Sequence, residues 1–398
     1  MGLALEGIRV LAASQGVSGP LAAMMLGDGG AEIMKVEPPA GDWLREIGPF
    51  VNGESGLFAQ LNRNKRSVCL NLKTIEGQDV FRRLAQSCDA LIDGYRPGAL
   101  DALGLAYEGL AGGNPGLVYC SVSAYGSRGP LGEARGSELE LQALIGKNRQ
   151  LGIPGEAPLR VGYDMVSTTA AWAAAQGVLA ALLYREKTGA GQRVETSLLD
   201  VATELMQYAT AAESNPDHWR GRPLASYTER PDHGYQSKDG PFLMDFGRGE
   251  EEWRQFCMAI GAEEVMVDER FSDFRKRTHN DDLRDAMSPI TSKWSFDDLR
   301  DLARGLGASI VRLNTLEMLA QDPQTEALDI IQTMEHPVIG EYKTLNVPWK
   351  FSEPIVRMAK APAPAIGQHT DEILAEVGYG GVEVQRLRES GVAGPKLS

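Results

Sequence analysis

The chain has 398 residues, 43% of them hydrophobic and 24% charged, with a formal net charge of −14. That is long for one domain of about 100–200 residues, and the composition is that of a chain able to bury a core. The acidic balance argues against nucleic-acid binding, which needs basic surfaces, but leaves room for an anionic cofactor on a local basic patch.

Taken in chain order, residues 8–37 read as strand, helix, strand. Residues 8–11 are an apolar run, and 20–26 are helical with Pro20 in the first turn and Gly27-Asp28-Gly29-Gly30 as the stop. Residues 32–37 form the next strand, closed by Pro38-Pro39. The pattern repeats with a strand at 67–72, a capped helix at 74–87, and strands at 90–92 and 117–122. Alternation of this kind predicts a parallel sheet covered by helices on both faces. Gly27, Gly29 and Gly30 follow a helix rather than a strand, so they are not a dinucleotide fingerprint.

Residues 213–234 are rich in Pro, Asp, Arg and Ser and read as a linker. Beyond them the spacing predicts a strand at 240–246 and amphipathic helices at 250–261, 281–293 and 296–306. The texture changes again near His336, and a helix is predicted at 370–377. The expected organisation is therefore a large domain over 1–213 and 336–398, a linker over 214–234, and a small domain over 235–335. No run reaches the roughly 18 uninterrupted apolar residues of a membrane span. The first residues lack the basic start and apolar core of a secretory signal. A cytoplasmic protein that meets no membrane is expected.

Cys69, Cys88, Cys120 and Cys257 are scattered without a CxxC pair, which predicts buried, reduced thiols rather than a metal site or disulfide. The first of the five histidines is His218, which disfavours a Ser-His-Asp triad in the first half of the chain. No metal-binding spacing is present.

Asp164 is the carboxylate that stands out. It lies two residues past Gly162, at the mouth of an Ala-rich stretch that runs towards Thr188-Gly189-Ala190-Gly191-Gln192. Such a residue is either an ordinary helix cap or a nucleophile held ionised by the free N–H groups and dipole of the helix. The segment alone leaves both readings open.

Several pieces, in order, resemble the family III CoA-transferases, which include formyl-CoA transferase and carnitine CoA-transferase. They are Gly7-Ile8-Arg9-Val10-Leu11, Gly19-Pro20, Leu26-Gly27-Asp28, Lys35-Val36-Glu37-Pro38 and Asn64-Lys65-Arg66-Ser67. Arg96-Pro97-Gly98-Ala99-Leu100, Gly162-Tyr163-Asp164, the Thr188–Gln192 run and Gly367-Gln368-His369-Thr370-Asp371 follow. The resemblance implies an α/β fold, with a large Rossmann-like CoA-binding domain built from both chain ends. It also implies a small inserted α+β domain and an interlocked homodimer. Its implied substrates are an acyl-CoA donor and a carboxylic acid acceptor, with coenzyme A bound and no metal.

The same resemblance implies that Asp164 is the nucleophile. It would form an aspartyl anhydride and then an aspartyl-CoA thioester, dividing one hard exchange into easier steps in a site kept dry. Glu138 matches a position near that nucleophile. The matching CoA positions are Gln15, Gly16, Val17, Ser18, Leu72, Lys73, Gly94, Tyr95, Arg96 and Arg135. Gln15 stands where formyl-CoA transferase has a histidine, and Pro38 and Ala102 stand where it has arginines; Arg96 and Lys65 are expected to compensate. The glycine-rich loop of that enzyme has no counterpart in Thr228–Tyr235, where His233 is read as a surface residue. Arg149 and Arg160 flank the Asp164 segment, and either suits the second carboxylate of a diacid, while a hydrophobic or branched acid is equally allowed.

Three alternatives stand beside this reading. Alpha-methylacyl-CoA racemase is a related branch, but this chain has Gly136-Ser137-Glu138 where the racemases carry Gly-His-Asp, and serine is a poor base at neutral pH. An intramolecular CoA-transferase would use the same Asp164 chemistry. A non-catalytic CoA-binding subunit, paired with an active paralogue, is the third.

Overall fold

The computed structural model describes residues 2–150, 157–207, 234–246, 249–277, 280–353 and 361–394. The chain divides into two compact units. Met1–Arg149, Leu159–Trp219 and Asp329–Ser398 form one, and Gln150–Pro158 and Arg220–Leu328 form the other.

The first unit is organised by a six-stranded parallel sheet. Its strands are β1 (Arg9–Ala13), β2 (Glu32–Glu37), β3 (Lys65–Cys69), β4 (Ala90–Asp93), β5 (Val118–Ser123) and β6 (Gln192–Ser197). Their spatial order is β3-β2-β1-β4-β5-β6, with every pairing parallel. This is a doubly wound order whose direction reverses between β1 and β4. In such sheets, ligands bind beyond the carboxyl ends of the strands at the reversal.

Burial explains why the strands read as apolar runs. On one face Val10, Ala12, Ile92, Val118 and Cys120 pack against α1 (Ser18–Asp28) and α5 (Met165–Thr188). On the other face Leu11, Met34, Leu91 and Tyr119 pack against α3 (Ile75–Gln86), α10 (Thr370–Glu376) and α11 (Gly381–Glu389). The Thr74 side chain caps α3 by accepting from the Gly77 N–H at 3.1 Å, as a capped helix at 74–87 requires. Between β5 and α5 lies the short helix α4 (Glu138–Leu144), and α6 (Leu198–Glu204) follows β6. A small helix, α2 (Gly56–Leu61), precedes β3.

The 24-residue α5 carries a ladder of alanines, Ala170, Ala171, Ala174, Ala175 and Ala181, that lets its backbone approach the sheet and α1. A Cβ on Gly177 would come within 2.8 Å of Val194 on β6. The helix ends at Gly189, whose φ of 74° is a left-handed cap that glycine adopts readily. By length and composition α5 is apolar enough to cross a membrane, yet half of that stretch is buried inside the unit.

The chain's last described residues are stitched to the β3 edge. Gly367 N–H donates to Ser67 Oγ at 2.8 Å, His369 N–H to the Ser67 carbonyl at 2.9 Å, and Gly394 N–H to the Cys69 carbonyl at 3.0 Å. An antiparallel hairpin, β10 (Ile331–His336) and β11 (Gly340–Leu345), also belongs to this unit. The first unit thus resumes at Asp329, a few residues before the texture change read near His336.

The second unit has a three-stranded antiparallel sheet of β7 (Tyr235–Ser237), β8 (Gly240–Asp245) and β9 (Ser309–Arg312), with β8 in the middle. Helices α7 (Glu250–Ile260), α8 (Asp281–Thr291) and α9 (Phe296–Gly305) fall where amphipathic spacing placed them. Their buried faces, led by Trp253, Phe256, Met287 and Leu299, close over Phe242 of β8. Most of the expected linker, His233 and most of the segment matching the glycine-rich loop lie outside the described residues.

Candidate active site

The loops at the sheet reversal are built by buried charge. Lys35 Nζ donates to the Ser14 carbonyl at 3.0 Å and to Asp42 Oδ2 at 2.7 Å, with both side chains fully buried. Asp42 Oδ1 accepts from the Gly16 N–H at 3.0 Å and the Leu44 N–H at 3.0 Å. Gly16 has φ 77°, and a Cβ there would collide with the Trp43 ring. Gln15 Oε1 accepts from the Trp43 N–H at 3.3 Å.

The facing loop is tied to the first. Gly94 N–H donates to the Ala13 carbonyl at 3.1 Å, and a Cβ on Gly94 would meet Ser14 at 2.7 Å. Asp93 accepts from the Tyr95 N–H at 2.9 Å and the Tyr119 hydroxyl at 2.6 Å. Burial pushes the Asp93 carboxyl up to about 6, and burial, then Asp93, pushes the Tyr95 hydroxyl up to about 12.

Gln15 to Ser18 and Gly94-Tyr95 are therefore brought together at the reversal. Arg96 follows Tyr95 and is exposed; Leu72 and the exposed Lys73 leave β3, two strands from β1; Arg135 is exposed in the loop between β5 and α4. Lys65 does not fit a compensating contact with CoA. It is buried, and its Nζ donates to the Pro20 carbonyl at 2.7 Å, the Leu61 carbonyl at 2.9 Å and Asn62 Oδ1 at 2.6 Å. Every proton on that ammonium is already used.

Asp164 sits at the same edge of the sheet, because α5 runs back against the strands from there. It is the residue before the helix, with φ −78° and ψ 68°, and its carboxylate accepts nothing from the helix N–H groups. Glu138 takes them instead. Its Oε1 accepts from the Val166 N–H at 3.0 Å, and its Oε2 from the Ser167 N–H at 2.8 Å and the Ser167 hydroxyl at 2.7 Å. Gln142, one turn along α4, adds a bond to Glu138 Oε1 at 2.8 Å, and its own Oε1 accepts from the Val161 N–H at 3.1 Å.

The first-turn N–H groups of α5 are therefore bonded to Glu138 and not to Asp164. Burial, then the negative charge of Glu138, push the Asp164 carboxyl above its ordinary value, against the opposing pull of Arg160. Arg160 Nη2 lies 3.4 Å from Asp164 Oδ1.

Ser167 and Gln142 belong to this cluster and were not singled out from the sequence. A signal for them existed. Ser137-x-x-Glu140 forms a capping box, with the Ser137 N–H donating to Glu140 Oε2 at 2.7 Å. That box starts α4 at Glu138 and puts Glu138 and Gln142, four apart, on one face. It also gives Ser137, the position of the racemase histidine, a structural task.

A second concavity was not anticipated. A cleft of about 770 Å³ opens along β4, β5 and β6, lined by Asp93, Tyr119, Ser123, Arg128, Arg193 and Glu195 among others. Among the described residues no group of three or more His, Cys, Asp or Glu side chains is placed to hold a metal. All four cysteines are buried without a disulfide, and burial pushes each thiol up to about 12, so none is poised to react.

Residues 5–370 match the sequence pattern of CoA-transferase family III. The chain is 31% identical over 386 residues to succinyl-CoA:glutarate CoA-transferase of Homo sapiens, covering 94% of this chain and 86% of that protein. It is also 31% identical over 385 residues to succinyl-CoA–D-citramalate CoA-transferase of Chloroflexus aurantiacus, covering 94% of each. Its fold matches the crystal structure of a CAIB/BAIF family protein from Brucella suis with a TM-score of 0.83 and 27% identity, over 95% of this chain and 100% of that one. The chain is therefore a family III CoA-transferase, an enzyme acting on acyl-CoA donors and carboxylate acceptors.

Proposed function

We propose that the enzyme moves CoA between carboxylic acids through covalent intermediates on Asp164. One Asp164 oxygen attacks the thioester carbonyl; the C–S bond breaks, giving an aspartyl anhydride and CoA thiolate. The thiolate attacks the aspartyl carbonyl, releasing the donor acid and leaving an aspartyl-CoA thioester. The acceptor carboxylate attacks that thioester and expels the thiolate again. The thiolate then takes the acceptor acyl group, and Asp164 returns as carboxylate. The observation that carries this reading is the Asp164 carboxylate itself, at the end of α5 yet free of capping bonds. A carboxylate spending its lone pairs on helix donors would be a weaker nucleophile.

CoA is placed at the sheet reversal on Gln15 to Ser18 and Gly94 to Arg96, with Lys73 and Arg135 reaching its phosphates. A dicarboxylic acyl group is the proposed donor class, because two relatives are named for succinyl-CoA and Arg160 stands beside Asp164 to receive a distal carboxylate. The proposal includes an interlocked homodimer and a cytoplasmic location.

The test is peptide mass spectrometry after incubation with succinyl-CoA, or with a panel of other acyl-CoAs, and hydroxylamine. A hydroxamate on the Asp164 peptide, absent in Asp164→Ala, is expected. A bound acyl-CoA that turns over without any Asp164 adduct, alongside deuterium exchange at its alpha carbon, would move the enzyme to the racemase branch.

A further inference from the structure

We infer that Glu138 is a positioning residue whose task is to cap α5 in place of Asp164, which leaves the nucleophile free of capping bonds. This inference rests on the reading of Asp164 as the nucleophile. An aspartate preceding a helix ordinarily accepts from the second and third helical N–H groups. In α5 those groups belong to Val166 and Ser167. They are the two backbone N–H groups that Glu138 occupies, at 3.0 and 2.8 Å, with the Ser167 hydroxyl as a third donor. A longer side chain, delivered from another helix, has displaced the local one.

The arrangement is held from behind. Gln142 is fully buried; it donates to Glu138 at 2.8 Å and accepts from the Val161 N–H at 3.1 Å. It therefore fixes both Glu138 and the strand of loop that carries Asp164. Leu159 N–H to the Asn148 carbonyl at 3.2 Å, and Asn148 Nδ2 to the Leu159 carbonyl at 3.0 Å, pin the same loop.

Among the described residues the charged groups around Asp164 are few. Arg160 approaches from the preceding loop, and Glu138 from α4. Glu140 of α4 is committed to the Ser137 N–H, and Asp200 of α6 to Ser197. The first turn of α1 holds no acidic residue. Among the described residues Glu138 is thus the negative charge that acts on Asp164, and it does so while neutralising the helix end that would otherwise favour the ionised aspartate.

Removing Glu138 should let Asp164 swing onto the vacated Val166 and Ser167 N–H groups. Glu138→Ala is therefore expected to fold, since a cap is replaced by a cap, but to lose kcat by about 100-fold with KM for acyl-CoA little changed. Its acid limb in kcat should move to lower pH. A substrate-free readout separates this from the nucleophile assignment: carboxyl-carbon NMR of Asp164 should titrate at lower pH in Glu138→Ala than in the unaltered enzyme. Glu138→Gln is the second variant. Its amide oxygen keeps the Val166 bond, whereas its NH2 group cannot accept from Ser167, so a smaller rate loss with the same direction of titration shift is expected. Unaltered kcat, or an Asp164 titration that stays put or rises in both variants, would overturn the inference. If the titration shifts as expected but the unaltered enzyme forms no Asp164 adduct, the capping role stands and the nucleophile assignment fails.

Discussion

Asp164 and Asp93 are both carboxyls pushed upward, and their consequences differ. At Asp164 the shift governs activity. The ionised form attacks, so turnover should fall as the pH drops through a value above that of an ordinary aspartate, and a pH profile of kcat reads this directly. Arg160→Gln removes the cation that opposes this shift among the described residues and should push that limb higher still. If Arg160 also receives a distal carboxylate, the same variant should lose about tenfold or more in kcat/KM for succinyl-CoA while butyryl-CoA is spared, as expected for a charged hydrogen bond of about 1.5–3 kcal/mol. Equal losses for both substrates would confine Arg160 to a role at Asp164. At Asp93 the shift governs stability. The folded carboxyl holds its proton to about pH 6, whereas the unfolded one releases it near 3.8. The folded state therefore binds more protons between those values, and stability falls as pH rises through that window. Asp93→Asn should flatten that slope and gain up to about 3 kcal/mol at pH 8, measured by urea unfolding at several pH values. Sequence reasoning could name Asp164 and Glu138 as a pair but not their division of labour, since that depends on a bond between residues 28 positions apart.

Among the elements, those with strong periodic patterns were legible. α3, α7, α8 and α9 fall within a residue or two of their expected bounds because each buries one stripe. β6 was not read as a strand. It lies at the sheet edge, and Gln-Arg-Val-Glu-Thr-Ser alternates charge with apolar residues because one of its faces is open. The hairpin of β10 and β11 also escaped, its exposed polar positions carrying little apolar alternation. Lys35, Asp42 and Lys65 look like surface charges in sequence and are buried in the structure. The fully buried Lys35–Asp42 pair anchors the Ser14 carbonyl and the Gly16 N–H of the 14–16 loop. Lys35→Met leaves Asp42 as an uncompensated buried charge, which costs about 3–5 kcal/mol. The urea midpoint should drop accordingly, and KM for acyl-CoA should rise as the loop loses its anchor. A neutral effect on both would mean that Asp42 finds another partner.

At the scale of the whole molecule, α5 poses the remaining question. A helix that is apolar on all sides is normally covered on all sides. One face of α5 is covered by the sheet and α1, but Leu179, Leu183 and Tyr184 project from the other face and remain 41, 60 and 50% exposed. The proposed homodimer supplies the missing cover, and a second copy of this chain is the partner that a family III resemblance implies. Light scattering should then find twice the 43.1 kDa chain mass. Leu183→Glu, which puts a charge in the centre of that face without touching the α5 residues packed on the sheet, should raise the fraction recovered at the chain mass after refolding from urea. The charge would be solvated in a free chain and desolvated in a dimer, so the penalty falls on association rather than folding. An unaltered enzyme that runs at the chain mass while fully active would separate catalysis from dimerisation. A dimer indifferent to Leu183→Glu would place the interface elsewhere and leave the apolar face of α5 without its cover.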